Sequence, residues 1–289
     1  MLQQIIKKYF PYEEIVNAYA YGSRVIPQKN LKEGKMKDLI FVVNDVEDFH
    51  NANRKMNRDH YSFIEKFLNK SKYINELGPK IYYHQNIMIE KNLYKYGVIS
   101  KKNFENSMSN WNNLFICGRF QKPVETIFAN VNYDKLIENN RRSAFALVAL
   151  KNKENVQKEE FYEDIINISY IGDIRNLCLM EDKAKSKKML QGAYNLYDNI
   201  YSKFAISSSK YKLKLNKDLK FYFEQLPQNF REKFPENFLK KNVQERKKII
   251  NRILKINNLC SSTTNALVGL YSSPDFSYIL NKYYKKYSL

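Results

Sequence analysis

Gly22 and Ser23, followed by Asp38 on the next apolar segment, are the first residues in this chain whose types and order can do chemistry. A Gly-Ser turn behind a strand lets backbone N–H groups and a hydroxyl approach a phosphate closely. A carboxylate on the adjacent strand can hold Mg2+ against the same phosphates. The chemistry that suits this arrangement is nucleotidyl transfer. Taken alone, the pair also reads as an ordinary tight turn, because short motifs of this kind recur by chance.

Three further segments carry polar groups in suggestive patterns. In HNANRKMNRDHYS (50–62), His50, Asn53, Asn57, His60 and Tyr61 are spaced three, four, three and one apart. On a helix that spacing puts several of them on one face, either towards a pocket or as a solvated polar face. NWNNLFICGRFQKP (110–123) holds the only Trp, Trp111, and places Arg119 and Lys122 where two cations can meet phosphates. The competing reading is a core Trp, a helix-capping Gly118 and two surface cations. SYIGDIR (169–175) contains Gly172-Asp173, a helix end or a remote carboxylate acting as metal ligand or base.

The elements that must position these groups follow from periodicity. Residues 5–16 read as a short amphipathic helix interrupted at Pro11, with Ile5, Ile6, Phe10 and Ile15 apolar. AYAYGSRV (18–25) is a strand entering a turn, and LIFVVN (39–44) is a continuous β-forming run, as in a strand buried on both faces. Residues 45–70 have helical spacing at Phe49, Ala52, Met56, Phe63 and Phe67. IYYHQNIMIE (81–90) and YKYGVIS (94–100) are strands, 101–119 is helix, and 123–131 is a further strand candidate. From about Asn139 the pattern is helical, over 141–152, 159–170, 182–205 and 243–256. The reading is an α+β first half followed by a helical second half.

Composition bounds the function classes. The chain has 289 residues, 44% hydrophobic and 27% charged, which fits a globular protein of two domains. Forty-nine Lys and Arg against 30 Asp and Glu give a net charge of +19, so polyanions are the expected partners: nucleic acid, nucleotides or an anionic membrane surface. Cys117, Cys178 and Cys260 form no CxxC pair, which excludes a disulfide scaffold and a cysteine zinc site. His50 and His60 have no usual metal-ligand spacing. No apolar run is long enough to span a membrane, and MLQQIIKKYFPYEEI lacks a signal-peptide core.

In this order, AYGSRVIPQ (19–28), KDLIFVV (37–43), HNANRKMNRDHYS (50–62), YKYGVIS (94–100), NWNNLFICGRFQKPV (110–124) and ISYIGDIR (168–175) resemble one family. It is the Tam41-type (Mmp37-like) CDP-diacylglycerol synthase family, the phosphatidate cytidylyltransferases. The resemblance implies a polymerase-β-type nucleotidyltransferase domain (1–135), a winged-helix-like helical domain (136–215) and a basic, aromatic helical region (216–289). It implies conversion of CTP and phosphatidic acid to CDP-diacylglycerol and pyrophosphate, with Mg2+, for phospholipid and cardiolipin synthesis. Carried over by position, Gly22 and Ser23 cradle the triphosphate and Asp38 binds the metal. His50, Asn53, Asn57, His60 and Tyr61 line the nucleotide or phosphate pocket. Lys95, Arg119 and Lys122 neutralise phosphates, and Asp173 is a second essential carboxylate.

The chain departs from the pattern in three places. Many nucleotidyltransferases carry a second carboxylate two residues after the first; here that position is Ile40, which leaves Asp45, Asp173 or the triphosphate to complete the metal's ligands. Phe49 stands where the family often has Trp. In SSTTNALVGL (261–270), Ser261, Ser262 and Gly269 are kept but Val268 replaces the family's Lys.

A lipid substrate without a spanning helix implies peripheral binding to an anionic surface. The candidates are 243–256, with Arg246, Lys247, Arg252 and Lys255, and a tail with Tyr278, Tyr283, Tyr284, Lys285 and Lys286. For 243–256 the competing reading is a core-packed helix with a solvated basic face. The early start of the match leaves no room for a presequence, so the expected location is the bacterial cytoplasm at the inner membrane. The alternative is the matrix side of the mitochondrial inner membrane. The other function classes are a nucleic-acid nucleotidyltransferase, against which no RRM or KH pattern is found, and a non-catalytic basic binding module. No nucleic-acid partner is expected, and a homo-oligomer is left open.

Overall fold

In the structure, a computed structural model that describes residues 2–22, 25, 36–68, 71–174 and 184–272, the chain opens with α1 (Leu2–Tyr9). This helix buries Leu2 and Ile6 and stops before Pro11, which cannot extend the hydrogen-bond ladder. Ile15, expected on the helix, instead begins β1 (Ile15–Tyr21). Then come β2 (Lys37–Val43), α2 (Val46–Met56), α3 (Phe63–Leu68), α4 (Ser71–Asn75), β3 (Tyr82–Ile89) and β4 (Asn92–Ser100). α5 (Lys101–Asn110), α6 (Leu114–Phe120) and β5 (Glu125–Ala129) complete the first half.

The five strands form one sheet in the order β3-β4-β2-β1-β5, with β2 and β4 parallel and every other pair antiparallel. Both faces are covered, which explains the unbroken apolar run of β2. Ala18, Ala20, Leu39, Phe41, Tyr96 and Val98 pack under Ile6, Phe10, Val46 and Phe49 of the first helices and the turn after α1. On the other face, Tyr19, Ile40, Val42, Tyr83 and Ile99 pack under Phe104, Met108, Trp111, Ile116 and Phe120. Met56 and Phe63, read as apolar-face positions, are 51% and 73% exposed. For Phe63 the reason is local: α2 ends at Met56, and the short turn over Arg58–His60 resets the helical phase before the next helix.

The second half contains α7 (Asp134–Ala149), β6 (Asn155–Gln157), α8 (Lys158–Asn167), α9 (Lys185–Tyr201), β7 (Ser207–Ser208) and β8 (Lys212–Lys214). Three short helices or helical turns precede the end: α10 (Leu219–Phe223), α11 (Gln228–Arg231) and a 3-10 turn at Phe238–Lys240. The long α12 (Val243–Ser272) follows. The small antiparallel sheet β6-β8-β7 is absent from the sequence reading, because strands of two or three residues have no measurable period. One apolar cluster runs from Ile40 of the large sheet through Phe145 and Tyr201 to Ile250 and Leu254, so the upper face of the sheet and the helical half share a core.

That core decides the role of 243–256. Ile250 and Leu254 are fully buried, and Arg246, also buried, donates from Nε to the Leu150 carbonyl at 2.8 Å. The Ile250 and Leu254 side of this stretch is thus occupied by the protein, as in the core-packed reading, while Arg246 is buried rather than solvated and Ile256 is exposed. The tail residues Tyr278, Tyr283, Tyr284, Lys285 and Lys286 lie outside the described residues. No described helix is long and apolar enough to cross a membrane.

Candidate active site

Strand register assembles the first cluster. Tyr21, the last residue of β1, pairs with Asp38, and Asp38 pairs with Lys95 on β4, so one row crosses three strands. Alternation places the Asp38 and Lys95 side chains on the Ile40 and Val42 face. Gly22 follows with φ +72°, and a Cβ there would meet Asp38 Oδ2 at 2.9 Å. Only glycine takes this conformation readily and keeps the carboxylate against the turn. Ser23 lies outside the described residues.

Aromatic rings line this row and carry cations. Lys95 Nζ stands 4.5 Å from the centre of the buried Tyr83 ring. The Arg119 guanidinium, from α6, lies 5.5 Å from the Tyr21 ring, 5.7 Å from Tyr83 and 3.8 Å from Phe115, and donates to the Phe115 carbonyl. Burial, then the neighbouring Tyr83 and Asp38, push the Tyr21 hydroxyl pKa well up, with Arg119 opposing, so it stays protonated. Tyr21 and Tyr83 escaped the sequence reading. The available signal was the alternation of aromatic and basic residues in strands already marked for the site.

A second cluster sits between α6 and the turn after α8. Lys122 is buried; its Nζ donates to the Gly118 carbonyl at 2.9 Å and to Ser169 Oγ at 2.6 Å. It stands 4.9 Å from the Tyr170 ring centre, and Lys185 of α9 stands 5.3 Å from the same ring. Burial, then Arg119 and Lys185, push the Lys122 pKa down to about 7 against an opposing effect of Cys117. Lys122, just past the end of α6, and Lys185 on α9 thus converge on one ring, a local concentration of positive charge that would attract an anion. Gly118 itself lies inside α6, whose C-cap is Gln121, and Trp111 is a core residue bonded to Asn140 Oδ1 at 2.8 Å.

Asp173 is 3% exposed, and its N–H donates to the Tyr170 carbonyl at 3.2 Å. It follows Gly172, whose φ is +82° and whose missing Cβ would meet the Lys255 Cα at 2.6 Å. Asp45, the other acidic candidate, lies beyond the opposite end of β2 from Asp38, roughly 20 Å away at about 3.3 Å per residue. It caps α2, accepting from Glu47 N at 2.6 Å and Asp48 N at 3.2 Å, and is therefore not a ligand beside Asp38. Among the described residues no three His, Cys, Asp or Glu gather as a metal group. Asp38, against the Gly22 turn, is the described carboxylate that would hold Mg2+, an ion that needs few protein ligands because it keeps several waters.

The His/Asn/Tyr segment is elsewhere. His50 Nδ1 is 3.0 Å from the Tyr61 hydroxyl, and Asn53 Nδ2 donates to the hydroxyls of Tyr61 (3.1 Å) and Tyr96 (2.9 Å). His60 Nδ1 is 2.8 Å from the Tyr96 hydroxyl, and the His84 ring stacks on Tyr96 at 4.3 Å. Asn57 donates to the Tyr9 carbonyl and to Asn53 Oδ1, both at 2.8 Å. Tyr96 is the strand neighbour of Lys95, so the two point to opposite faces. His50, Asn53, Asn57, His60 and Tyr61, expected to line the nucleotide or phosphate pocket, form a polar network on the face of the sheet opposite the Asp38 and Lys95 side chains. Burial lowers the pKa of His50 to about 3 and of His60 to about 4, and that of His84 falls well below its usual value, so all three rings are neutral. Spacing located the shared face but not which side of the sheet it covers.

Comparison with known proteins gives the kinship. The family profile Tam41_Mmp37, described as "Phosphatidate cytidylyltransferase, mitochondrial", matches residues 2–281. Proteins of that name are similar to this chain. The one from Homo sapiens is 37% identical over 187 residues, 62% of this chain and 41% of its own length. The one from Mus musculus is 34% identical over 203 residues, 68% and 60% respectively. That from Caenorhabditis briggsae is 33% identical over 197 residues, 66% and 60%. The matched region thus spans between 41 and 60% of the length of these relatives. With the profile covering nearly its whole length, the chain belongs to the Tam41/Mmp37 family of mitochondrial phosphatidate cytidylyltransferases.

Proposed function

We propose that this chain is a phosphatidate cytidylyltransferase, joining CTP and phosphatidic acid to give CDP-diacylglycerol and pyrophosphate. The observation that carries the reading is the row Tyr21–Asp38–Lys95, with Gly22 against Asp38 and Arg119 beside the Tyr21 and Tyr83 rings, on a chain of this family. A phosphatidate oxygen attacks the α-phosphorus of CTP, and the bond to the bridging oxygen breaks as pyrophosphate leaves. The protein contributes position and charge rather than a covalent intermediate. Gly22 presents backbone to the triphosphate, while Lys95 and Arg119 bind phosphate oxygens from two sides. Lys122, with Lys185 beside it, holds the far phosphates and stabilises charge gained by the leaving group. Tyr21 and Tyr83 fix the two cations by ring contact and exclude water. Asp38 would hold Mg2+, which supplies Lewis-acid neutralisation of phosphate charge. Asp173 serves as the second essential carboxylate.

The net charge of +19 favours an anionic bilayer as the place where phosphatidic acid is met. Exposed Ile256, Leu259 and Leu267 on α12 add apolar surface for peripheral contact. The relatives' mitochondrial names favour the mitochondrial alternative over a bacterial cytoplasm. The test is transfer of label from α-labelled CTP into chloroform-extractable lipid, with Mg2+ and phosphatidic acid in mixed micelles. Labelled CDP-diacylglycerol from the wild type and none from Asp38→Ala supports the reading. Label on RNA ends instead would overturn it in favour of a nucleic-acid substrate.

A further inference from the structure

The turn that carries Asp173 is gripped from two directions. On one side Lys122, just past the end of α6, donates to Ser169 Oγ at 2.6 Å. On the other lies a single face of α12, formed by Lys255, Asn258 and Ser262, which are spaced three and four apart. Gly172 touches the Lys255 backbone so closely that no Cβ fits. Asn258 is buried, and its Nδ2 donates to two carbonyls, Ile168 at 2.7 Å and Ile171 at 2.8 Å. These carbonyls lie just past the end of α8, where no further helical turn supplies donors. Ser262 Oγ accepts from the Ile174 N–H at 2.9 Å and donates to the Leu259 carbonyl at 3.3 Å. Asp173 is therefore bracketed: fixed before by Asn258 and after by Ser262.

We propose that Asn258 and Ser262 are positioning residues for Asp173, which makes one face of the C-terminal helix part of the catalytic apparatus. The proposal rests on the reading of Asp173 as an essential carboxylate. It also gives a role to the Ser-Ser segment on α12 that needs no lysine at position 268. A side chain held within a fraction of an ångström by its backbone neighbours loses rate steeply when they shift, about 100-fold for about 1 Å.

The test measures kcat, the KM for CTP and the Mg2+ activation constant for Asn258→Ala, Ser262→Ala, Ser262→Thr and Asp173→Asn, alone and combined. Thermal unfolding is followed in parallel. The expected result is a fall in kcat of about 10- to 100-fold for each alanine variant, with the KM for CTP moved about two-fold or less. Ser262→Thr, which keeps the hydroxyl, recovers most of the loss seen in Ser262→Ala. Asp173→Asn with Asn258→Ala is no slower than Asp173→Asn alone, because both changes remove the same group's action. Losses that multiply in the double variant, or that track only the unfolded fraction, would overturn the positioning role. So would an inactive Asp173→Asn beside fully active Asn258→Ala and Ser262→Ala, which leaves the reading of Asp173 intact. Full activity in Asp173→Asn removes that reading and this proposal with it.

Discussion

The backbone of Gly22 and the carboxylate of Asp38 share one small space: a Cβ on residue 22 would stand 2.9 Å from Oδ2 of Asp38. Gly22→Ala must therefore displace the carboxylate and also adopt φ +72°, which costs about 1 kcal/mol for a residue with a side chain. We expect it to lose cytidylyl transfer by about 100-fold, the scale of an ångström-sized misplacement, while the protein stays folded. Circular dichroism beside the lipid-transfer assay checks this; wild-type turnover in Gly22→Ala would remove the turn from the site.

Arg119 is held by three rings and the Phe115 carbonyl, a planar group in a fitted place. Lysine does not reproduce that stacking or a two-pronged grip on phosphate. Arg119→Lys is expected to behave more like Arg119→Ala than like the wild type, with at least a 10-fold loss of kcat/KM for CTP, on the order of a charged hydrogen bond. Near-wild-type kinetics in Arg119→Lys would show that only its charge matters.

Lys122 titrates at about 7 in the folded chain, against 10.5 for an ordinary lysine. Between those values the unfolded chain binds a proton that the folded one lacks, so this group's destabilising effect is full below about 7 and fades as pH rises towards 10.5. A bound triphosphate restores the ammonium, so CTP binding takes up a proton above pH 7. Affinity should fall by up to about 10-fold per pH unit there. Calorimetry in buffers of different ionisation enthalpy reads this uptake directly; Lys122→Met should abolish it, and uptake that persists would assign the proton to another group.

His50, His60 and His84 are neutral in the fold, with pKa values below the usual 6.5 because burial disfavours the charged ring. Their contribution is therefore intact above about pH 6.5 and is lost as pH falls from there through 4 towards 3, where the unfolded chain takes up protons first. Melting temperature should drop steeply with acid over that window. His50→Gln should flatten the drop while leaving the KM for CTP within about two-fold, since the ring lies under the opposite face of the sheet from Asp38. A large KM change with an unaltered acid profile would return this residue to the pocket.

Asp45 caps α2, and its replacement by alanine is expected to cost about 1 kcal/mol of stability. The Mg2+ activation constant should not move. A shifted metal requirement in Asp45→Ala would contradict the separation of the two ends of β2.

Much was legible from the sequence because it is local. The buried run 39–43, the break at Pro11 and the helices over 141–149 and 243–256 follow from periodicity and from what proline and β-branched residues allow. The residue types Gly22, Asp38, Arg119 and Lys122 suggest phosphate chemistry by charge and backbone freedom, with an ordinary turn and surface cations as the competing reading, and Lys95 joins them only through the family resemblance. Only the tertiary structure decided who meets whom. Register sets Asp38 between Tyr21 and Lys95 and brings Tyr83 to Lys95, and helix packing separately brings Lys185 to the Tyr170 ring that Lys122 faces. The His50–Tyr61 segment has pocket-like spacing, yet α2 covers the other face, and strand alternation sends Tyr96 to it and Lys95 away. The role of α12 was equally hidden, because Asn258 and Ser262 act on carbonyl and N–H groups nearly ninety residues earlier. Spacing along the chain fixes which side chains share a face; what that face touches depends on packing between elements, which no local pattern encodes.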